Sequence, residues 1–100
     1  MRFERIQLVC GAGFSSSFMA NKFRGACKAK GWNVEVNASS DSEIDYIGDE
    51  IDLLLVGPHL SYMYDDLVKG SNNRYEVVMI PGDIYAHLDG ETLADFIETL

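Results

Sequence analysis

Cys10 stands at the end of a short apolar run, Ile6-Gln7-Leu8-Val9, and is followed at once by Gly11-Ala12-Gly13-Phe14-Ser15-Ser16-Ser17 and then by a helical pattern. A thiol there lies at the mouth of an anion cradle. Glycines let backbone N–H groups turn inward around a guest, and the unpaired N–H groups at the start of the next helix face the same point. The positive end of that helix also favours the ionised thiolate, the form that acts as a nucleophile. Residues 11–17 therefore suit a tetrahedral oxyanion held beside a reactive sulfur.

Three chemistries compete for such a loop. A dinucleotide fingerprint needs a third glycine where Ser16 stands, and the glycine-lysine-threonine/serine ending of a nucleotide P-loop is absent; Glu35, near the end of the second strand, is the single point in favour. A cysteine phosphatase is the second. The pattern Cys-x5-Arg-Ser after the first strand belongs to the low-molecular-weight protein tyrosine phosphatases, but here Ser16 takes the arginine position, which removes the bidentate clamp on the equatorial phosphate oxygens. Asp83 after the fourth strand stands where that family's general acid would, but a turn residue beside Pro81-Gly82 is the better explanation of it. The third is a phosphoryl carrier. That role needs a nucleophile and a neutral cradle, which loop N–H groups and the hydroxyls of Ser15, Ser16 and Ser17 supply without a fixed cation that would trap a phosphocysteine.

Composition bounds the partners. The chain has 100 residues, a formal net charge of −8 and a mean hydropathy of −0.05, values expected of one globular domain spanning residues 1–100. An excess of sixteen acidic over eight basic residues opposes nucleic-acid backbones and anionic lipid. The densest basic group, Lys22, Arg24, Lys28 and Lys30, falls on one helix and reads as a solvated face. No apolar stretch approaches the roughly 18 residues of a membrane span. The start of the chain runs directly into the first strand with no apolar leader, so a cytosolic location is expected. Without a Cys-x-x-Cys pair, Cys10 and Cys27 read as free thiols, Cys27 as a core residue on the apolar stripe of the first helix. No cofactor and no metal are called for.

The elements that must position the loop follow from periodicity. A strand over 6–10 precedes a helix over about 16–30, with Met19, Phe23, Ala26 and Cys27 on its buried face and Gly31 as its stop. Residues 32–37 alternate, as an edge strand does, and Ser40-Asp41-Ser42-Glu43 is a capping box announcing a short helix. Residues 51–56 are nearly continuous in apolar character and belong at the centre of a parallel sheet. Gly57-Pro58 opens a further helix whose buried stripe is Leu60, Met63 and Leu67, with Gly70 as its end. Residues 76–80 form a fourth strand, a loop runs through Tyr85 and His87, and Asp89 caps a last helix carrying Leu93, Phe96, Ile97 and Leu100. The expected fold is α/β: a single four-stranded parallel sheet of order 2-1-3-4 with helices on both faces, a three-layer sandwich resembling the low-molecular-weight tyrosine phosphatases. Its switch point lies between strands one and three, beside Cys10 and Gly57-Pro58-His59.

The stretch from Leu8 through Ser17, then Ala20-Asn21-Lys22, Asp52 through Pro58 with Tyr62, and Ile80 and Asp83-x-Tyr85 before Asp89-Gly90 resembles the IIB component of bacterial sugar phosphotransferase systems, in the lactose/cellobiose/chitobiose family. The resemblance runs essentially end to end. It implies a cytosolic phosphocarrier in which Cys10 accepts phosphate from a histidine of the IIA protein and gives it to a sugar held by the membrane permease IIC, with residues 11–17 as the phosphate loop. The family often has glutamine after Gly-Pro, where this chain has His59, and methionine where Phe14 stands. A partner rim of Phe14, His59, Ile84 and Tyr85 is expected around the thiol, and Tyr62 is a further aromatic that suits such a rim. The alternative is a hydrolase of the cysteine phosphatase type.

Overall fold

The computed structural model describes residues 3–9, 14–39, 51–87 and 89–100, with the side chains of residues 14–17, 39 and 59 left undescribed. Four strands, β1 (Arg5–Val9), β2 (Glu35–Ser39), β3 (Leu53–Val56) and β4 (Glu76–Met79), form one sheet in the order β2-β1-β3-β4, every pairing parallel. The 2-1-3-4 order expected from one alternating and one continuous strand is the order found. Central β3 is buried along its whole length, whereas β4 begins exposed and is only half-buried beyond.

Alternation along the two central strands feeds two apolar layers. Ile6, Leu8, Leu53 and Leu55 face one cluster, completed by Met19, Phe23 and Cys27 of α1 (Phe14–Ala29). Leu93, Ala94 and Ile97 of the last helix pack into the same layer. Val9, Leu54 and Val56 point the other way, against Leu60, Leu67 and Tyr75. Leu60 comes from a 3₁₀ helix, Pro58–Met63, and Leu67 from the α-helix that continues it, α2 (Tyr64–Ser71). Helices thus cover both faces, and β3 has no wet side on which to place a polar residue.

α1 ends as a glycine stop requires. Gly31 takes φ +76°, its N–H donates to the Lys28 carbonyl at 3.0 Å and the Trp32 N–H reaches back to Cys27 at 2.9 Å, which satisfies two carbonyls of the final turn. α2 differs from expectation: it runs through the exposed Gly70 to Ser71, and Asn72, at φ 50°, makes the left-handed turn. Asn tolerates that conformation through its short polar side chain. The segment expected as a loop through Tyr85 holds a five-residue helix, α3 (Gly82–Ala86), entered from Pro81, whose fixed φ suits a helix start.

The last helix, α4 (Gly90–Glu98), is capped as expected: the Asp89 carboxylate accepts from the Thr92 N–H at 3.1 Å and from its hydroxyl at 2.7 Å. Those two bonds, the hydroxyl's first, hold the Asp89 pKa below the usual aspartate value. Leu93 and Ile97 are buried, Phe96 is half-buried, and Leu100 is exposed. Gly90 is needed where it stands, because a Cβ there would lie 2.3 Å from the Lys22 carbonyl carbon. Strand β2 begins three residues later than the alternation of 32–37 suggests; Trp32 and Val34 instead pack, partly buried, against the core layer of α1. The capping box at 40–43 lies outside the described residues.

Candidate functional site

Parallel pairing brings all four strand exits to one end of the sheet. Val9 stands opposite Ser39 on one side and Val56 on the other, and Val56 stands opposite Met79. The Gly57 N–H donates to the Val9 carbonyl at 3.1 Å and the Ile80 N–H to the Val56 carbonyl at 2.8 Å. The chain therefore leaves β1 with its last carbonyl tied to the glycine that starts the Gly57-Pro58 turn. Cys10 is the next residue, and only residues 10–13 separate β1 from α1. This is the switch point of the sheet, where β1 and β3 carry their connections to opposite faces.

Cys10, Gly11, Ala12 and Gly13 lie outside the described residues. Phe14, Ser15, Ser16 and Ser17 form the first four positions of α1, so their N–H groups are the ones an α-helix leaves without an i−4 partner, and they point back over the connection. α1 also differs in charge from the other described α-helices. Its first turn holds no acidic residue, while α2 begins with Asp65 and Asp66, α3 with Asp83 and α4 with Glu91. A carboxylate in the first turn neutralises a helix dipole; a sixteen-residue helix without one keeps its pole available to another anion.

The expected partner rim divides. His59 is the second residue of the 3₁₀ helix at the exit of β3. Ile84 is buried at 8% exposure in the core layer of α1, and Tyr85 is half-buried against the same layer. Two large apolar side chains are instead well exposed on elements leaving this end: Phe18 of α1 at 60% and Tyr62 of the 3₁₀ helix at 76%. Phe18 escaped notice in the sequence, although the helical period carries the signal: it is one step off the buried stripe of Met19, Phe23 and Ala26.

Cys27 is a free thiol with 1% exposure, and burial pushes its pKa up to about 11 against the lesser pull of Lys30. It is a core residue and a poor nucleophile. Two basic side chains of the α1 segment have partners of their own. Lys30 reaches Asp95 at 2.7 Å and Glu98 at 3.0 Å, and Arg24 holds Asn21 and the Val36 carbonyl. Asp83, the candidate general acid, is exposed at the start of α3. Among the described residues no cluster of three or more His, Cys, Asp or Glu side chains could hold a metal, and no helix is long and apolar enough to cross a membrane.

Comparison with known proteins agrees with this architecture. The family model described as PTS system, Lactose/Cellobiose specific IIB subunit matches residues 5–96. The fold is similar to that of the lactose-specific IIB component domain of the phosphoenolpyruvate:carbohydrate phosphotransferase system from Streptococcus pneumoniae. That match has a TM-score of 0.85 and 17% identity over 96% of this chain and 95% of the other. It is also similar to the cellobiose-specific phosphotransferase IIB component protein of Borrelia burgdorferi, with a TM-score of 0.76 and 23% identity over 96% of this chain and 89% of the other.

Proposed function

The chain belongs to the lactose/cellobiose-specific IIB subunit family of the phosphotransferase system, a component of sugar phosphotransfer, and from that premise we propose that it is a cytosolic phosphoryl carrier working through Cys10. The thiolate attacks the phosphorus of a phosphohistidine on the IIA protein. The P–N bond breaks, its electron pair stays on the imidazole nitrogen, which takes up a proton, and a P–S bond forms. In the second transfer a sugar hydroxyl held by the permease IIC attacks the same phosphorus and loses its proton, and the P–S bond breaks to return the thiolate. The sugar is a β-linked disaccharide such as cellobiose, chitobiose or lactose.

The observation that carries this reading is the N-terminus of α1, which has no acidic residue in its first turn and follows four residues after the strand that leads into Cys10. Gly11, Ala12, Gly13, Phe14, Ser15, Ser16 and Ser17 would hold the phosphoryl oxygens with N–H groups, and charge in the loose transition state would spread over them. With Ser16 in place of an arginine, nothing in the loop locks the dianion down or drives its hydrolysis. In-line attack requires the donor imidazole to approach along the open end of the sheet, past Tyr85 and His59.

Turnover separates this from the hydrolase alternative. Incubated alone with p-nitrophenyl phosphate, the protein is expected to release no more nitrophenol than a Cys10→Ser control. Given phosphoenolpyruvate, the general phosphotransferase proteins and a cognate IIA, it is expected to take up one phosphoryl group and stop until permease and sugar are added. Sustained nitrophenol release lost in Cys10→Ser would establish the hydrolase instead.

A further inference from the structure

The end of the sheet where β1, β3 and β4 exit has a charge pattern of its own. The eight basic residues are Arg2, Arg5, Lys22, Arg24, Lys28, Lys30, Lys69 and Arg74. None falls in the segments that directly follow those strands, residues 10–21, 57–68 and 80–88, whereas Asp65, Asp66 and Asp83 do; Asp89 and Glu91 lie further along, beside Lys22 of α1. The eight residues of α2 span about 12 Å at 1.5 Å each and the four of β4 about 13 Å, so α2 starts level with the end of β4 and the 3₁₀ helix lies across the exit. Tyr64 at that junction donates its hydroxyl to the Val77 carbonyl of β4 at 3.3 Å. Tyr62, 76% exposed, and the exposed Asp65 and Asp66 therefore share the β3–β4 side of the reactive end.

The geometry points to this surface, with Tyr62 as its apolar anchor and Asp65 and Asp66 as its charged rim, as the docking face for the cytoplasmic loops of the sugar permease. The proposal rests on the phosphocysteine reading above. Charge complementarity selects the occupant. Loops on the cytoplasmic side of membrane proteins are enriched in Lys and Arg, while the lipid surface around them is anionic; an acidic face is drawn to the loops and repelled by the lipid. An exposed aromatic beside that rim supplies the contact area a salt-screened attraction lacks. The same arrangement gives the relay a direction. A phosphorylated thiol adds close to two negative charges beside this acidic rim, so the loaded carrier is attracted more strongly than the empty one, and transfer itself weakens the contact.

The test uses Tyr62→Ala and the double variant Asp65→Asn/Asp66→Asn, all three positions exposed, with circular dichroism confirming the fold. Two steps are timed separately: uptake of phosphate from the IIA protein, and transfer from the loaded carrier to sugar in membrane vesicles containing the permease. The expected result is a KM for the vesicle step raised about tenfold in each variant and rising with salt for the wild type, with the uptake step changed less than about twofold. Equal slowing of both steps, or slowing of uptake alone, would assign the surface to the IIA protein and overturn the proposal. Unchanged kinetics in both would overturn it as well. A wild-type chain that never acquires phosphate on Cys10 would instead remove the reading beneath it.

Discussion

The two ends of the sheet are built to different specifications. Where the strands begin, polar groups are tied together. The Asp52 carboxylate accepts the N–H groups of Glu4 and Arg5, both at 3.0 Å. Arg74 donates to the carbonyls of Ser71 at 3.0 Å and Gly70 at 2.9 Å, closing the end of α2. Lys30 joins the end of α1 to Asp95 and Glu98 of α4 and lies 5.5 Å above the ring of Trp32. Where the strands end, α1 carries no acidic residue in its first turn, Tyr62 stands 76% exposed and residues 10–21, 57–68 and 80–88 hold no Lys or Arg. On the proposed reading, a fold secured from one end leaves the other for a phosphoryl group that arrives and leaves.

That contrast is broken if substitutions at the two ends have interchangeable effects. The largest stability loss is expected in the shared core: Leu55→Ala, at 0% exposure in central β3, should cost about 2–5 kcal/mol in urea denaturation. Gly90→Ala should follow. The backbone of α1 lies too close to admit the methyl group, so α4 must shift, at roughly 1–3 kcal/mol. At the tied end, Asp52→Ala removes an acceptor shared by two N–H groups; being exposed, it should cost about 1 kcal/mol and leave the rate of phosphate uptake unchanged. A kinetic effect at Asp52 as large as one at the open end would erase the distinction between them.

Titration sharpens the comparison of the two cysteines. The folded Cys27 pKa of about 11 stands above its ordinary value of 9.0. The unfolded chain therefore loses its proton first as pH rises, and stability present below pH 9 is lost as pH climbs through 11. Cys27→Ala should flatten that part of the stability–pH profile. At neutral pH iodoacetamide should leave Cys27 unmodified in the folded protein while it reacts with Cys10. The smallest effect is expected from Asp89. Its pKa is held down in the folded state, so the stability of the cap persists above the unfolded value and fades as pH falls through the folded one, and Asp89→Ala should remove that acid-side dependence from thermal melts.

Sequence made the frame legible because its signals were physical constraints. An alternating strand must have a wet side or an edge, and a continuous one must be covered twice; that places β2 outside and β3 within. Asp89 and Gly31 announced caps that the hydrogen bonds display. Misreadings arose where a residue type permits more than one conformation. Gly70 is accommodated inside an exposed helix turn, so it does not force an end, and Asn72 does the turning. Five residues of α3 are too few to show a period. The alternation of 32–37 comes partly from Trp32 and Val34 packing against the core ahead of the strand, while pairing starts only where the Glu35 N–H meets the Glu4 carbonyl at 2.8 Å. At the site, residue types point to the thiol and its loop, whose residues 10–13 lie outside the described ones. Exposure was not legible from them: Ile84 is apolar and turns inward, while Tyr62 stands out.

The central claim is that one sulfur carries the phosphoryl group, and phosphosite mapping by mass spectrometry tests it most directly. After incubation with phosphoenolpyruvate, the general phosphotransferase proteins and the cognate IIA, the wild type and Cys27→Ala should each bear a single phosphoryl group on Cys10, and Cys10→Ser none. Label on Cys27, or undiminished label in Cys10→Ser, would contradict the account.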